Sequence, residues 1–126
     1  MPKPVPNLPG LEPGPFPFSQ VVEANGLVFV AGQVGSAPDG HGPVPGGIEA
    51  ETRQMLDNVG RLLRAAGLDY GDVVKSTVYL RDFGDFAEFN TVYREYFPTE
   101  PPTRATVGVT ALAADFRVEI EVLAVR

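Results

Sequence analysis

Residues 118–125, Val-Glu-Ile-Glu-Val-Leu-Ala-Val, alternate in a way that suits an extended strand and little else. Successive side chains leave opposite faces of a strand, so Val118, Ile120, Val122 and Ala124 share one face, and Glu119, Glu121, Leu123 and Val125 share the other. The first face needs an apolar cover. The second mixes two acids with two apolar side chains, and its acids need a reason. A neighbouring strand-like run over residues 103–109 carries Arg104 shortly after the Pro101-Pro102 pair, whose fixed φ holds the incoming chain extended. A planar guanidinium on a stiff strand start is suited to a carboxylate.

The remaining elements follow from local signals. Asn25-Gly26 separates two strand-like runs, 19–24 and 27–32, and both residues tolerate positive φ, which predicts a tight hairpin. A Gly/Pro-rich loop, 35–47, precedes a run in which Ile48, Met55, Leu56, Val59, Leu62, Leu63 and Ala66 recur at helical spacing. Glu49 with Arg53 and Asp57 with Arg61 are expected to pair on its outer face, and Gly67 to end it as a left-handed cap. Residues 73–80 read as a third strand, with Val74, Ser76, Val78 and Leu80 on one side and Lys75, Thr77 and Tyr79 on the other. Asp85 and Glu88 suggest a capping box for a second helix, whose Phe86, Phe89, Tyr93 and Phe97 form a core stripe before Pro98 stops it.

The predicted order is therefore strand, strand, helix, strand, helix, strand, strand. This is an α+β domain with a mixed sheet and both helices on one face. Helix-linked strands are expected to be parallel neighbours, with antiparallel hairpins at either end. The uncovered face is expected to carry Leu123, Val125 and Tyr79 beside Arg104 and Glu119, an apolar exposure that points to burial between subunits.

The chain has 126 residues, enough for one domain, 1–126, with prolines at 2, 4, 6, 9, 13, 15 and 17 making residues 1–17 an extended arm. No apolar run reaches the roughly 18 residues of a membrane span, and no basic start followed by an apolar stretch marks a secretory signal, so a cytoplasmic location is the default expectation. There is no cysteine, and the single histidine, His41, lies among glycines and prolines in a loop. Thiolate chemistry and cysteine zinc sites are excluded. The net charge of −6, with basic residues scattered among the acids, argues against a nucleic-acid partner.

Taken together, Phe18-Ser19-Gln20, Ala31-Gly32-Gln33, Asp57-Asn58-Val59, Asp85-Phe86-Ala87-Glu88-Phe89-Asn90 with Tyr93, Thr103-Arg104-Ala105-Thr106-Val107 and Val118-Glu119-Ile120-Glu121 resemble the Rid (YjgF) family, formerly called endoribonuclease L-PSP. The resemblance runs from about Phe16 to the C-terminus. It implies a chorismate-mutase-like fold and a homotrimer whose sheets pack into a central barrel, with a cleft between each pair of subunits. It implies hydrolysis of reactive 2-imino acids, the enamine/imine products of pyridoxal-phosphate dehydratases, to 2-keto acids and ammonia, with no cofactor.

On the same resemblance, Arg104 clamps the substrate carboxylate and Glu119 positions the attacking water, while Glu121 occupies neither place. Backbone groups near Gly32 and Thr106 are implied contacts, Gln33 completes the Ala-Gly-Gln run, and Asn90 matches a polar residue near the cleft. Phe18 stands where the deaminases carry a tyrosine, and Ala31 where they carry a serine. Two hydroxyls are thereby removed, which makes the pocket more apolar. Two other readings remain beside the enzyme. Arg104 and Glu119 could form a structural interface ion pair, or the trimer could bind a 2-keto acid without turnover. A ribonuclease or translation inhibitor fits the acidic chain least.

Overall fold

The computed structural model describes residues 15–126; residues 1–14, and with them most of the proline-rich arm, lie outside the described residues. Five strands, two α-helices and three short 3-10 turns follow in the expected order: β1 (Val21–Ala24), β2 (Leu27–Val34), α1 (Gly47–Ala65), β3 (Val73–Leu80), α2 (Phe86–Tyr96), β4 (Thr103–Gly108) and β5 (Val118–Val125). The hairpin forms on local chemistry alone. Asn25 and Gly26 have φ of 53° and 77°, the left-handed values a two-residue hairpin turn requires. Helix α1 stops because Gly67, at φ 80°, takes a conformation that other residues resist.

The sheet order is β1-β2-β5-β3-β4. Strand β4 runs parallel to β3, as a strand returning through a helix should, but β4 and β5 form no hairpin. Instead β5 lies between β2 and β3 and is antiparallel to both. The physical reason is that α2 brings β4 to the outer side of β3, leaving β3's inner side to be paired. Strand β5 offers the apolar ridge that position needs, since Val118, Ile120 and Ala124 are fully buried. For the same reason the helix-linked β2 and β3 are not neighbours.

One face of this sheet carries both helices. Met55, Leu56, Val59, Leu62 and Leu63 of α1 and Phe89 and Tyr93 of α2 join Val28, Val30, Val78, Val118 and Ile120 in a single core. Burying a side chain of this size stabilises the fold by about 1.5–3 kcal/mol. The other face is bare in one chain: Phe29 is 45% exposed and Val107 41%, and Leu27 and Val125 are also exposed.

Three local expectations are corrected. Strand β3 does not alternate from its start, because the register shifts between Val73 and Lys75; Val73 is buried and Val74 is turned out. Asp85 makes no side-chain cap on α2, because a 3-10 turn (Phe83–Asp85) precedes the helix and Asp82 caps that turn by accepting the Gly84 N–H at 2.9 Å. The Asp85 carboxylate faces Arg117 instead, at 3.8 Å. Asp57 accepts the Tyr96 hydroxyl at 2.8 Å, drawn to α2 and not to Arg61, whereas Glu49 and Arg53 do pair at 3.4 Å.

Candidate functional site

Glu119 stands on the open face. Its neighbour strand β2 carries a bulge, because the register moves from Val30 opposite Val122 to Gln33 opposite Ile120, so that Ala31 and Gly32 share the position facing Glu121. Bulges re-aim side chains and are frequent beside functional sites. Here the extra residue brings Gly32 against the Glu119 carboxylate so closely that no β-carbon would fit between them. Gln33 locks the bulge: it is buried on the helix side, and its amide N–H₂ donates to the Gln20 Oε1 at 3.1 Å and to the Ala31 carbonyl at 3.0 Å.

Burial pushes the Glu119 carboxyl above the usual carboxylate range, and the neighbouring charge of Glu121 pushes in the same direction. Glu121 is itself exposed and accepts the Tyr79 hydroxyl at 2.7 Å. Ala31 lines a hollow of about 370 Å³ on this face with Phe29, Lys75, Thr77, Glu121 and Leu123. Phe18 is 55% exposed and stacks on Phe16, with ring centroids 6.1 Å apart.

Arg104 lies on the other side of the sheet. In the parallel β3–β4 ladder it is opposite Ser76, which is fully buried beneath α2, while Thr106 is opposite the equally buried Val78. Its guanidinium carbon sits over the rings of Tyr93, Phe89 and Phe86, 4.7–5.7 Å from their centroids. The expected sharing of one face by Arg104 and Glu119 is thus not observed. The parity of β5 was readable, but the face of Arg104 depends on its register against β3.

Arg104 opens into a cleft of about 420 Å³ lined with Asn90, Tyr93, Arg94, Phe97 and Pro102. Two guanidiniums and no acid line it, an environment that favours an anion in spite of the chain's negative charge. Asn90 lines the same cleft as Arg104, whereas Gly32 and Glu119 meet on the opposite face of the sheet and Ala31 lines the hollow there. Among the described residues, neither Arg104 nor Glu119 takes part in a salt bridge, so they are not an ion pair within one chain. The aromatic platform under Arg104 was not foreseen as part of a site. Its spacing on α2 signals only a buried stripe, and the strand register is needed to see that the stripe also supports the arginine.

Among the described residues no group of three or more His, Cys, Asp or Glu side chains is placed to hold a metal ion, and no helix is long and apolar enough to cross a membrane.

Comparison with known proteins places this geometry in context. The profile of the family described as Endoribonuclease L-PSP matches residues 12–126. The mouse protein named 2-iminobutanoate/2-iminopropanoate deaminase is 44% identical over 110 residues, covering 87% of this chain and 82% of its own. Among solved structures, the Escherichia coli YjgF gene product superposes with a TM-score of 0.83 at 38% identity, covering 90% of this chain and 91% of that one. Escherichia coli TdcF with bound serine matches with the same score and identity.

Proposed function

This chain belongs to the Endoribonuclease L-PSP family, the Rid family, and on that premise we propose that it is an imine deaminase, hydrolysing 2-imino acids to 2-keto acids and ammonia. Arg104 clamps the substrate carboxylate through a bidentate pair, and Glu119 orients the water and accepts its proton as oxygen attacks the imine carbon. The proton then passes to nitrogen, the carbon–nitrogen bond breaks, and ammonia leaves as the hydroxyl gives its remaining proton to Glu119 and the carbonyl forms. An iminium carbon is already electrophilic, so a positioned water and a base suffice. A carboxyl raised by burial is better matched to proton transfer near neutral pH than an exposed one.

The observation that carries this reading is an arginine and a glutamate without salt-bridge partners among the described residues, in a chain that matches named 2-imino acid deaminases over most of its length. Serine, the ligand of TdcF, carries the same α-carboxylate. The opposite faces of Arg104 and Glu119 support a site assembled from two chains: the bare face of one sheet, with Glu119 and Gly32, meets the β4 edge of another, with Arg104, Asn90 and Thr106. A homotrimer with its sheets packed into a central barrel, the chorismate-mutase-like arrangement, would cover Phe29 and Val107 and form three such clefts.

The test is release of ammonia and keto acid when a dehydratase generates 2-iminobutanoate or 2-iminopropanoate in the assay. Acceleration over spontaneous hydrolysis is expected. A rate equal to the spontaneous one, with 2-oxobutanoate still bound, would leave the second reading, a trimer that binds a 2-keto acid without turnover. That reading is favoured by Phe18 and Ala31, neither of which carries a hydroxyl. The family's nuclease description finds little support in a chain of charge −6 whose single histidine is exposed in a loop.

A further inference from the structure

Arg104 is held by groups that leave its hydrogen-bond donors unspent. Its guanidinium carbon is 4.7 Å from the ring centroid of Tyr93, 5.3 Å from that of Phe89 and 5.7 Å from that of Phe86. A ring face attracts a cation through its quadrupole and presents no lone pair in the plane of the N–H fork. A carboxylate neighbour would do the opposite, fixing the arginine by occupying the donors that a ligand needs. An arginine seated on aromatic faces is oriented and still available.

The ring nearest to Arg104 is itself fixed. The Tyr93 hydroxyl lies 2.8 Å from Ser76 Oγ, both side chains are buried, and Tyr93 packs against Phe89 and Phe97 with centroids 5.5 and 4.7 Å away. Ser76 is also the residue opposite Arg104 in the β3–β4 ladder. The contacts therefore close on themselves: the backbone sets Arg104 beside Ser76, Ser76 holds Tyr93, and the Tyr93 ring carries the Arg104 guanidinium. A hydroxyl on a buried ring needs one partner, and a core stripe alone would be met as well by phenylalanine. Resting on the reading of Arg104 as the carboxylate clamp, we infer that Tyr93, anchored by Ser76, is a positioning residue that aims the Arg104 guanidinium at the ligand carboxylate.

The test is calorimetric titration of 2-oxobutanoate into wild type, Tyr93→Leu, Tyr93→Phe, Ser76→Ala and Arg104→Lys, each checked for an unchanged circular dichroism spectrum. Tyr93→Leu is expected to weaken binding about tenfold, equivalent to about 1.4 kcal/mol, while Tyr93→Phe and Ser76→Ala, which keep a ring under the cation but release its hydroxyl anchor, are expected to lose about threefold; wild-type affinity in both would strike the Ser76 anchor from the inference. In turnover the loss should fall on KM for the anionic imine more than on kcat, the pattern of a loosened binding group. Wild-type affinity in Tyr93→Leu together with weak binding in Arg104→Lys overturns this inference and leaves the clamp standing. Wild-type affinity in Arg104→Lys removes the clamp itself. Equal losses in Tyr93→Phe and Tyr93→Leu show that the ring is not the positioning element and also overturn the inference. If Tyr93→Leu does not fold, Tyr93→Met, which also removes the ring but keeps an unbranched apolar side chain, takes its place, with the same expected and overturning results.

Discussion

The bare α-carbon of Gly32 lies against the carboxylate of Glu119, and a β-carbon built there would collide with Oε2. Gly32 is not among the residues of positive φ, so alanine would fit its backbone and only the contact forbids it. The obstructed group is the far end of a side chain, which can swing aside. Gly32→Ala is therefore expected to fold normally, to bind 2-oxobutanoate within a few-fold of wild type, and to lose ten- to a hundredfold in kcat for imine hydrolysis because the base is displaced. Steady-state kinetics beside thermal melting checks this; equal kcat in the two proteins would disconnect the bulge from the chemistry.

Arg104→Lys should abolish most 2-keto acid binding without disturbing the fold, since lysine supplies charge without the planar fork and can still lie over the rings of α2. A loss of about 1.5–3 kcal/mol, the contribution of a hydrogen bond to a charged group, is expected by titration calorimetry.

Glu119→Gln should retain ligand affinity and slow turnover by about a hundredfold or more, because an amide can hold a water but cannot take its proton. Glu121→Gln is expected to stay active and to move the acid limb of the kcat/KM profile to lower pH. The sign follows from the two causes that raise the Glu119 carboxyl, burial first and the Glu121 charge second; removing that charge lowers the value and keeps the base ionised further into acid. A limb unmoved in Glu121→Gln, or lost activity in it alone, would assign the base wrongly.

These roles were only partly legible in the sequence. The Asn25-Gly26 hairpin, α1, α2 and the two faces of β5 rest on turn chemistry and periodicity within a few residues, and they stand as read. The central place of β5, the bulge at Ala31-Gly32 and the face of Arg104 are set by which strand pairs with which and in what register. No short stretch of sequence carries that information. The family resemblance named Arg104 and Glu119 without saying that a sheet separates them.

The bare sheet face yields a prediction of assembly. Light scattering at micromolar concentration should give three chains per particle, and Phe29→Glu, which sets a charge on the exposed apolar face, should shift the mass toward the monomer and remove hydrolysis with it. A wild-type monomer with full activity would exclude the two-chain site.

Glu51 of α1 bears on stability. It is fully buried and accepts the backbone N–H of Arg117, and burial raises its carboxyl above the ordinary value. The folded chain thus holds a proton there more tightly than the unfolded chain does, so this group's stabilising contribution is present in acid and is lost as pH rises through its folded pKa. Glu51→Ala leaves the Arg117 N–H without its acceptor and should cost about 1–3 kcal/mol. Glu51→Gln keeps an acceptor without the buried charge and should flatten the pH dependence. Urea unfolding of the three proteins at fixed concentration, at about pH 5 and about pH 8, distinguishes them.

The place of β5 also governs when the fold can exist. Strands β2 and β3 are made early, yet each has its neighbour in the strand that follows all the others in the chain. On the ribosome the nascent protein can close its first hairpin and wind its helices, but the two halves of the sheet stay unjoined, with the inner edges of β2 and β3 unpaired, until β5 has cleared the exit tunnel. Joining of the two halves of the sheet is therefore coupled to the emergence of β5. Nascent chains arrested before residue 118 should remain protease-sensitive, and chains whose β5 has emerged should become resistant in one step.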